Sequence, residues 1–244
     1  MRKLLYTVLL VASCSVLFLG CNDDTKGLSD ITYYANFDKK GDDVLFQNIR
    51  EPFVEPGISA SANDKELSIE ISVAGEYTGY LGKELKTDVA DYYNLSYTAT
   101  NEDGYSSSED RVVYVVETGD LKTNIAGLYT STVVRNGSSG AEYTDMEYVL
   151  ISKISDNKYI LSCGIGAYYQ LGRNYGFTYD APVIITANNI QNNDFSSPEF
   201  GVGIFGGIAK IKMFTADPSK KTIHYITEWD SGYTFDVTLT QVEI

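Results

Sequence analysis

Tyr93-Asn94-Leu95-Ser96-Tyr97-Thr98-Ala99-Thr100 decides the fold. Tyr93, Leu95, Tyr97 and Ala99 fall on one face, and Asn94, Ser96, Thr98 and Thr100 fall on the other. A period of two means a strand in a sheet with one wet face. Asn101-Glu102-Asp103-Gly104 supplies a turn, with Gly104 able to take a positive φ. Val112-Val113-Tyr114-Val115-Val116 then returns as the partner strand. Leu67 to Val73 predicts a further strand with Leu67, Ile69, Ile71 and Val73 inward. Pro52, Pro56 and Gly57 break the chain between strands, where proline is tolerated. Short strands at this spacing predict a β-sandwich over residues 29–118.

Residues 118–124 (TGDLKTN) read as a polar linker. Beyond it strands are expected at 128–135, 148–154, 158–163, 183–187, 204–214, 222–229 and 233–242. Asp156-Asn157, Asp217-Pro218-Ser219 and Asp230-Ser231-Gly232 stand between them as turns. No helical period of ten residues competes. The chain is therefore all-β. Sequential hairpins over 119–244 suit an antiparallel, lipocalin-like β-barrel, with a second β-sandwich as the alternative.

The N-terminus carries a different message. Arg2 and Lys3 precede an apolar stretch from Leu4 to Leu19, which has the form of a secretory signal peptide over residues 1–20. Leu17-Phe18-Leu19-Gly20-Cys21 resembles a bacterial lipobox. The resemblance implies cleavage before Cys21 and lipid attachment at Cys21, with 21–28 as a lipidated tether to the membrane. Asp23-Asp24 resembles the export signal of surface lipoproteins in Bacteroidetes, which implies an outer-membrane, cell-surface location.

Composition narrows the partners. The chain has 19 basic and 33 acidic residues, and loss of Arg2 and Lys3 with the signal leaves 17 against 33, or −16. No nucleic-acid partner is expected, because phosphate neutralisation needs clustered Lys and Arg. The charge is uneven: 18 acidic and 7 basic residues over 29–118 give −11, and 13 and 9 over 119–244 give −4. Cys163 is the one thiol left beyond Cys21 and is expected to be buried and inert. His224 is the only histidine, so neither a zinc cluster nor a Cys–His nucleophile pair is expected. Asn101-x-Asp103-Gly104 lacks the full ligand set of a calcium loop. No metal, cofactor or catalytic residue is assigned, and the chain is not expected to be an enzyme. A glycosidase needs only two facing carboxylates; Asp180, Glu199, Glu228 and Asp230 are the acids nearest the aromatic segments.

Two further resemblances bear on function. Phe53-Val54-Glu55-Pro56-Gly57-Ile58-Ser59-Ala60 with Tyr92 to Tyr105 resembles the bacterial immunoglobulin-like domains related to hyalin repeats, which implies an immunoglobulin-like spacer. Gly164 to Gly176 with Gly232 to Thr240 resembles the C-terminal domain of a group of Bacteroidetes lipoproteins. Related two-domain lipoproteins accompany outer-membrane polysaccharide-uptake systems, so the resemblance implies uptake proteins as partners.

The candidate binding residues are aromatic. Tyr168, Tyr169, Tyr175, Phe177 and Tyr179 crowd beside Gly164, Gly166, Gly172 and Gly176. Tyrosine offers a large amphipathic face at low entropic cost, and sugar rings stack on such faces. Trp229 and Tyr233 flank the turn at 230–232 and should face each other across a hairpin. Arg173, Asn174 and Asp230 are placed to hydrogen-bond sugar hydroxyls. The expectation is a non-catalytic glycan-binding accessory. The alternatives are an adaptor docking on an outer-membrane complex, which needs an exposed apolar patch, and a hydrophobe-binding barrel, which needs an apolar internal cavity. The same tyrosines could instead pack the glycine-rich loop onto the barrel.

Cys21→Ser is expected to abolish lipidation and membrane retention, since acyl chains are the only apolar anchor left after cleavage. Fractionation of cells expressing the variant checks this; wild-type recovery in membranes would refute it.

Overall fold

The computed structural model describes residues 31–137 and 142–244; the signal segment and Cys21 lie outside them. The first domain contains β1 Asn36–Lys39, β2 Val44–Asn48, β3 Ile58–Ala62, β4 Lys65–Leu67, β5 Ile69–Gly75, β6 Leu81–Gly82, β7 Asp91–Thr100 and β8 Ser106–Val116. A three-stranded sheet, β1-β3-β4, faces a five-stranded sheet, β2-β8-β7-β5-β6. The strand quoted first is β7, and its four apolar residues are all buried. Tyr93, Leu95 and Tyr97 meet Val73, Val113 and Val115 from their own sheet and Phe37 and Ile58 from the facing one.

The chain crosses between the sheets after β1, and a buried arginine holds the crossing. Arg111 of β8 donates to the carbonyl oxygens of Lys40 and Asp42, and its Nε lies 3.1 Å from Glu55. Charged groups this deep are tolerated only when paired. The expected strand over 67–73 is broken at Ser68: β4 belongs to one sheet and β5 to the other. Ile71 is exposed rather than inward. The two-residue β6 pairs only with Val73 and Ala74, so β5 is the uncovered sheet edge at Ile71.

The second domain contains β9 Gly127–Arg135, β10 Tyr143–Ser155, β11 Lys158–Leu161, β12 Val183–Asn189, β13 Asp194–Ser196, β14 Phe200–Val202, β15 Gly206–Asp217, β16 Thr222–Trp229 and β17 Tyr233–Gln241. They form one antiparallel sheet in the order β13-β12-β11-β10-β9-β17-β16-β15-β14. Each strand pairs with a sequence neighbour, and β9 and β17 pair with each other. The sheet curls as an up-and-down barrel does, but β13 and β14 share no ladder. That seam is bridged by side chains: the rings of Phe195 and Phe214 lie 4.8 Å apart, and Asn193 accepts from the Ala216 amide at 2.7 Å. The expected barrel is thus a barrel-like sheet with an open seam.

The segment 118–124 is folded rather than a loose linker. The Asp120 carboxylate accepts from the amides of Lys122 and Thr123, which holds it down to about 2. Leu121 is buried, and Gln241 donates to the Gly119 carbonyl at 2.9 Å. The domains also share a core. Tyr114 and Val116 on the outer face of β8 pack with Leu128 and Leu150 of the curled sheet, flanked by Tyr77, Tyr92 and Tyr148.

This shared core predicts that Leu150→Ala costs about 2–5 kcal/mol, the range for emptying a buried leucine site. Urea denaturation followed by circular dichroism should show one transition for the wild type and two for the variant. A single unshifted transition would contradict the coupling.

Candidate functional site

The chain leaves β11 and, instead of skirting the surface, enters the concave side of the curled sheet. Residues 161–170 are all buried. A buried irregular segment must find partners for its backbone polar groups, and the sheet supplies them. Tyr225 donates to the Cys163 carbonyl at 2.8 Å, Thr227 to Gly164 at 2.5 Å and Ser131 to Gly166 at 2.8 Å. Gly166 has φ +65°, and a Cβ there would lie 2.6 Å from Val237 and 2.7 Å from Val133. Glycine is needed here for both conformation and space. The segment fills the place where a hydrophobe-binding barrel keeps its cavity.

The plug ends in a π-helical turn, Tyr168–Gly172, with the Arg173 amide bonded to the Tyr168 carbonyl at 3.0 Å. Single π turns occur often at functional sites. This one sorts the predicted aromatic residues by depth. Tyr168 is fully buried; its hydroxyl donates to Glu142 at 2.6 Å, and the Arg135 guanidinium lies 4.8 Å from its ring. Tyr169 is buried between Phe205 (4.9 Å) and Trp229 (6.3 Å). Tyr175 is 48% exposed and stacks 6.2 Å from Tyr169. Tyr179 is half-buried, 5.0 Å from Tyr175 and 4.9 Å from Phe205. Phe177 leaves this group and packs 4.7 Å from Tyr92 of the first domain.

Trp229 and Tyr233 pair across β16 and β17 as expected, with rings 5.7 Å apart. Trp229 is only 7% exposed, and its Nε1 donates to the Gly206 carbonyl at 3.2 Å. Asp230 is exposed and accepts from the Ile208 amide at 2.9 Å. Arg173 is exposed and pairs with Glu142 at 3.3 Å; Asn174 is exposed beside it. Tyr168, Tyr169 and Trp229 therefore lie beneath the surface and support it. Tyr175, Tyr179, Tyr233, Arg173, Asn174 and Asp230 reach solvent.

The sequence reading placed Ile204 to Phe214 in one strand and so missed three residues of this surface. Gly203–Phe205 is a 3-10 turn, and β15 starts only at Gly206. Ile204 (67%), Phe205 (47%) and Ile208 (48%) are exposed. The signal was Gly206-Gly207, since glycines inside a strand mark a bend or a close approach. A Cβ on Gly207 would lie 2.5 Å from the Trp229 Nε1. The result is an aromatic shelf of Tyr175, Tyr179 and Phe205 backed by Tyr169 and Trp229. Beside it runs a surface groove lined by Glu199, Ile208, Lys210, Glu228, Trp229 and Asp230.

Of the four acids noted as glycosidase candidates, Glu199, Glu228 and Asp230 line this groove and Asp180 lies apart from it. Glu199 pairs with Lys210 at 2.5 Å and Glu228 with Lys212 at 3.3 Å. Asp180 is buried at the domain junction, accepting from the Tyr77 hydroxyl at 2.7 Å. Burial pushes its carboxyl up to about 6, and burial together with the charge of Asp180 pushes the Cys163 thiol well up. His224 lies 2.7 Å from Asp236. Among the described residues no group of three or more His, Cys, Asp or Glu side chains converges on a metal position.

Residues 118–241, just over half of the chain, match the profile of a C-terminal-domain family. The chain belongs to that family. The crystal structure of a lipoprotein from Bacteroides thetaiotaomicron superposes with a TM-score of 0.64 at 24% identity, covering 85% of this chain and 100% of that one; this likeness shows the fold. No curated protein matches the chain.

Asp180 makes the domain junction sensitive to pH. Its folded-state value is raised from 3.8 to about 6, so the fold favours the acid form. The contribution is full below about pH 4 and is lost as pH rises through about 6, amounting to roughly 3 kcal/mol. Urea titrations of the wild type and Asp180→Asn at pH 4 and pH 7.5 should show the wild type losing stability relative to the variant by about that amount. A difference that does not change with pH would rule Asp180 out.

Proposed function

We propose that this chain is an envelope-anchored, non-catalytic lipoprotein whose second domain recognises a glycan on the aromatic shelf. The observation that carries it is the exposure of Tyr175 and Phe205 on a bed of buried aromatic rings. Rigid exposed rings lose little entropy when a sugar stacks on them. Asn174, Arg173 and Asp230 at the margin bring donors and acceptors for hydroxyls. The first domain, an immunoglobulin-like spacer in this reading, holds the shelf away from the bilayer. The lipobox-like ending at Cys21 and the fold shared with a bacterial lipoprotein support the anchored setting, in the outer membrane and at the cell surface. Association with polysaccharide-uptake proteins belongs to the same proposal.

A second reading rests on Ile204 and Ile208. Exposed aliphatic side chains give a sugar no hydrogen bonds, and an apolar patch of this kind also suits docking on a protein. The two readings separate by partner.

The soluble chain from Asn22 onward should bind at least one polysaccharide on a glycan array. Tyr175→Ala and Phe205→Ala should each weaken that binding by about 1–2 kcal/mol, roughly 5- to 30-fold, with an unchanged melting temperature. Trp229→Ala and Tyr169→Ala should instead lower the melting temperature, because they remove supporting core. An array without binding, together with capture of an outer-membrane protein through Ile204 and Ile208, would replace the glycan reading with the docking one.

A further inference from the structure

The first domain has two ends. One is covered by the curled sheet through Tyr77, Tyr92, Tyr114 and Val116. The other is aromatic, and none of the described strands covers it. Three separate pieces of chain meet there: the start of the described chain at 31–34, the β3–β4 turn at 63–64 and the β7–β8 turn at 101–105. Asn101 donates to the Tyr33 carbonyl at 2.8 Å, and Tyr34 lies 5.7 Å from Tyr105. Ile31 is 73% exposed, Tyr34 61%, Tyr105 52% and Tyr33 47%.

We propose that this end is a lipid-contacting face: Ile31, Tyr33, Tyr34 and Tyr105 rest among the headgroups of the bilayer that holds the anchor. The proposal rests on the anchored reading above. Only nine residues lie between Cys21 and Ile31, and the ten steps of chain from one to the other span at most about 36 Å. The bilayer is thus the surface this end meets most often. Tyrosine, with an apolar ring and a polar tip, suits the membrane–water boundary. The local charge selects the lipid. Asp64, Glu102 and Asp103 stand here against Lys65, which is itself paired with Glu102 at 2.7 Å. Zwitterionic headgroups fit such a surface, and anionic ones repel it. β7 runs from Tyr92, at the domain junction, to Thr100, at this aromatic end, so the second domain is carried about 30 Å farther out.

The test couples the mature chain through its Cys21 thiol to a maleimide lipid in phosphatidylcholine vesicles; Cys163 is buried and stays unmodified. Hydrogen exchange of the tethered protein is compared with that of thiol-capped protein in solution. Amides at 32–36 and 101–105 should exchange at least threefold more slowly when tethered, while those at 203–208 stay unchanged. The triple variant Y33A/Y34A/Y105A, with an unchanged melt, should lose the effect, and adding phosphatidylglycerol should diminish it. Equal exchange at the tip in both states, or protection of 203–208 instead, would overturn the proposal. The chemical coupling bypasses cellular acylation, so failure here leaves the anchored reading standing, and fractionation of Cys21→Ser tests that reading separately.

Discussion

Three carbonyl groups, on Cys163, Gly164 and Gly166, hold the second domain's architecture in place. They lie in the interior of a curled sheet, where an unpaired carbonyl would cost a few kcal/mol. Tyr225, Thr227 and Ser131 each turn a hydroxyl inward to meet one of them. With these bonds made, a loop becomes a plug. The plug then determines where the chain emerges, and with it the placement of Tyr169, Tyr175 and Tyr179. The shelf is thus a consequence of polar satisfaction inside the sheet as much as of the aromatic residues that compose it.

The two domains are joined in a way that resembles packing within one. Outer-face residues of β8 and of the β9–β10 pair form a small aromatic core, and the intervening turn is fixed by Asp120, the buried Leu121 and the Gln241 contact to Gly119. A buried carboxyl, Asp180, sits at the same junction under Tyr77. The orientation of the shelf relative to the first domain is therefore set by side-chain packing and not left to a tether.

Much of this was legible in the sequence. Period-two alternation located β7, β16 and β17, an apolar run after a turn located β8, and the turn residues located the hairpins. The Trp229/Tyr233 pairing followed from strand register alone. What escaped had physical causes. Val112 to Val116 is a continuous apolar run, which is the mark of a strand buried on both faces, and it signalled the domain junction. The glycine-rich stretch 164–176 has the composition of a surface loop. Nothing local reveals that hydroxyls contributed from β9 and β16 would draw it inside. Ile204 and Phe205 looked like strand residues because the bend at Gly206-Gly207 was read as part of the strand.

The pairing of β9 with β17 has a consequence for the order of assembly. Arg135 lies opposite Phe235, so the ladder that joins the first and last strands of the domain, at the middle of the sheet, links residues a hundred positions apart. Pairings of such separation are slow to form, because loop closure must precede any gain in contacts. The hairpins β10–β11 and β15–β16 have no such delay. The last strand also carries Gln241, which fastens the turn between the domains. A chain emerging from its N-terminus can complete the first domain early, but it cannot fix the direction in which its second domain points until β17 has arrived to pair with β9.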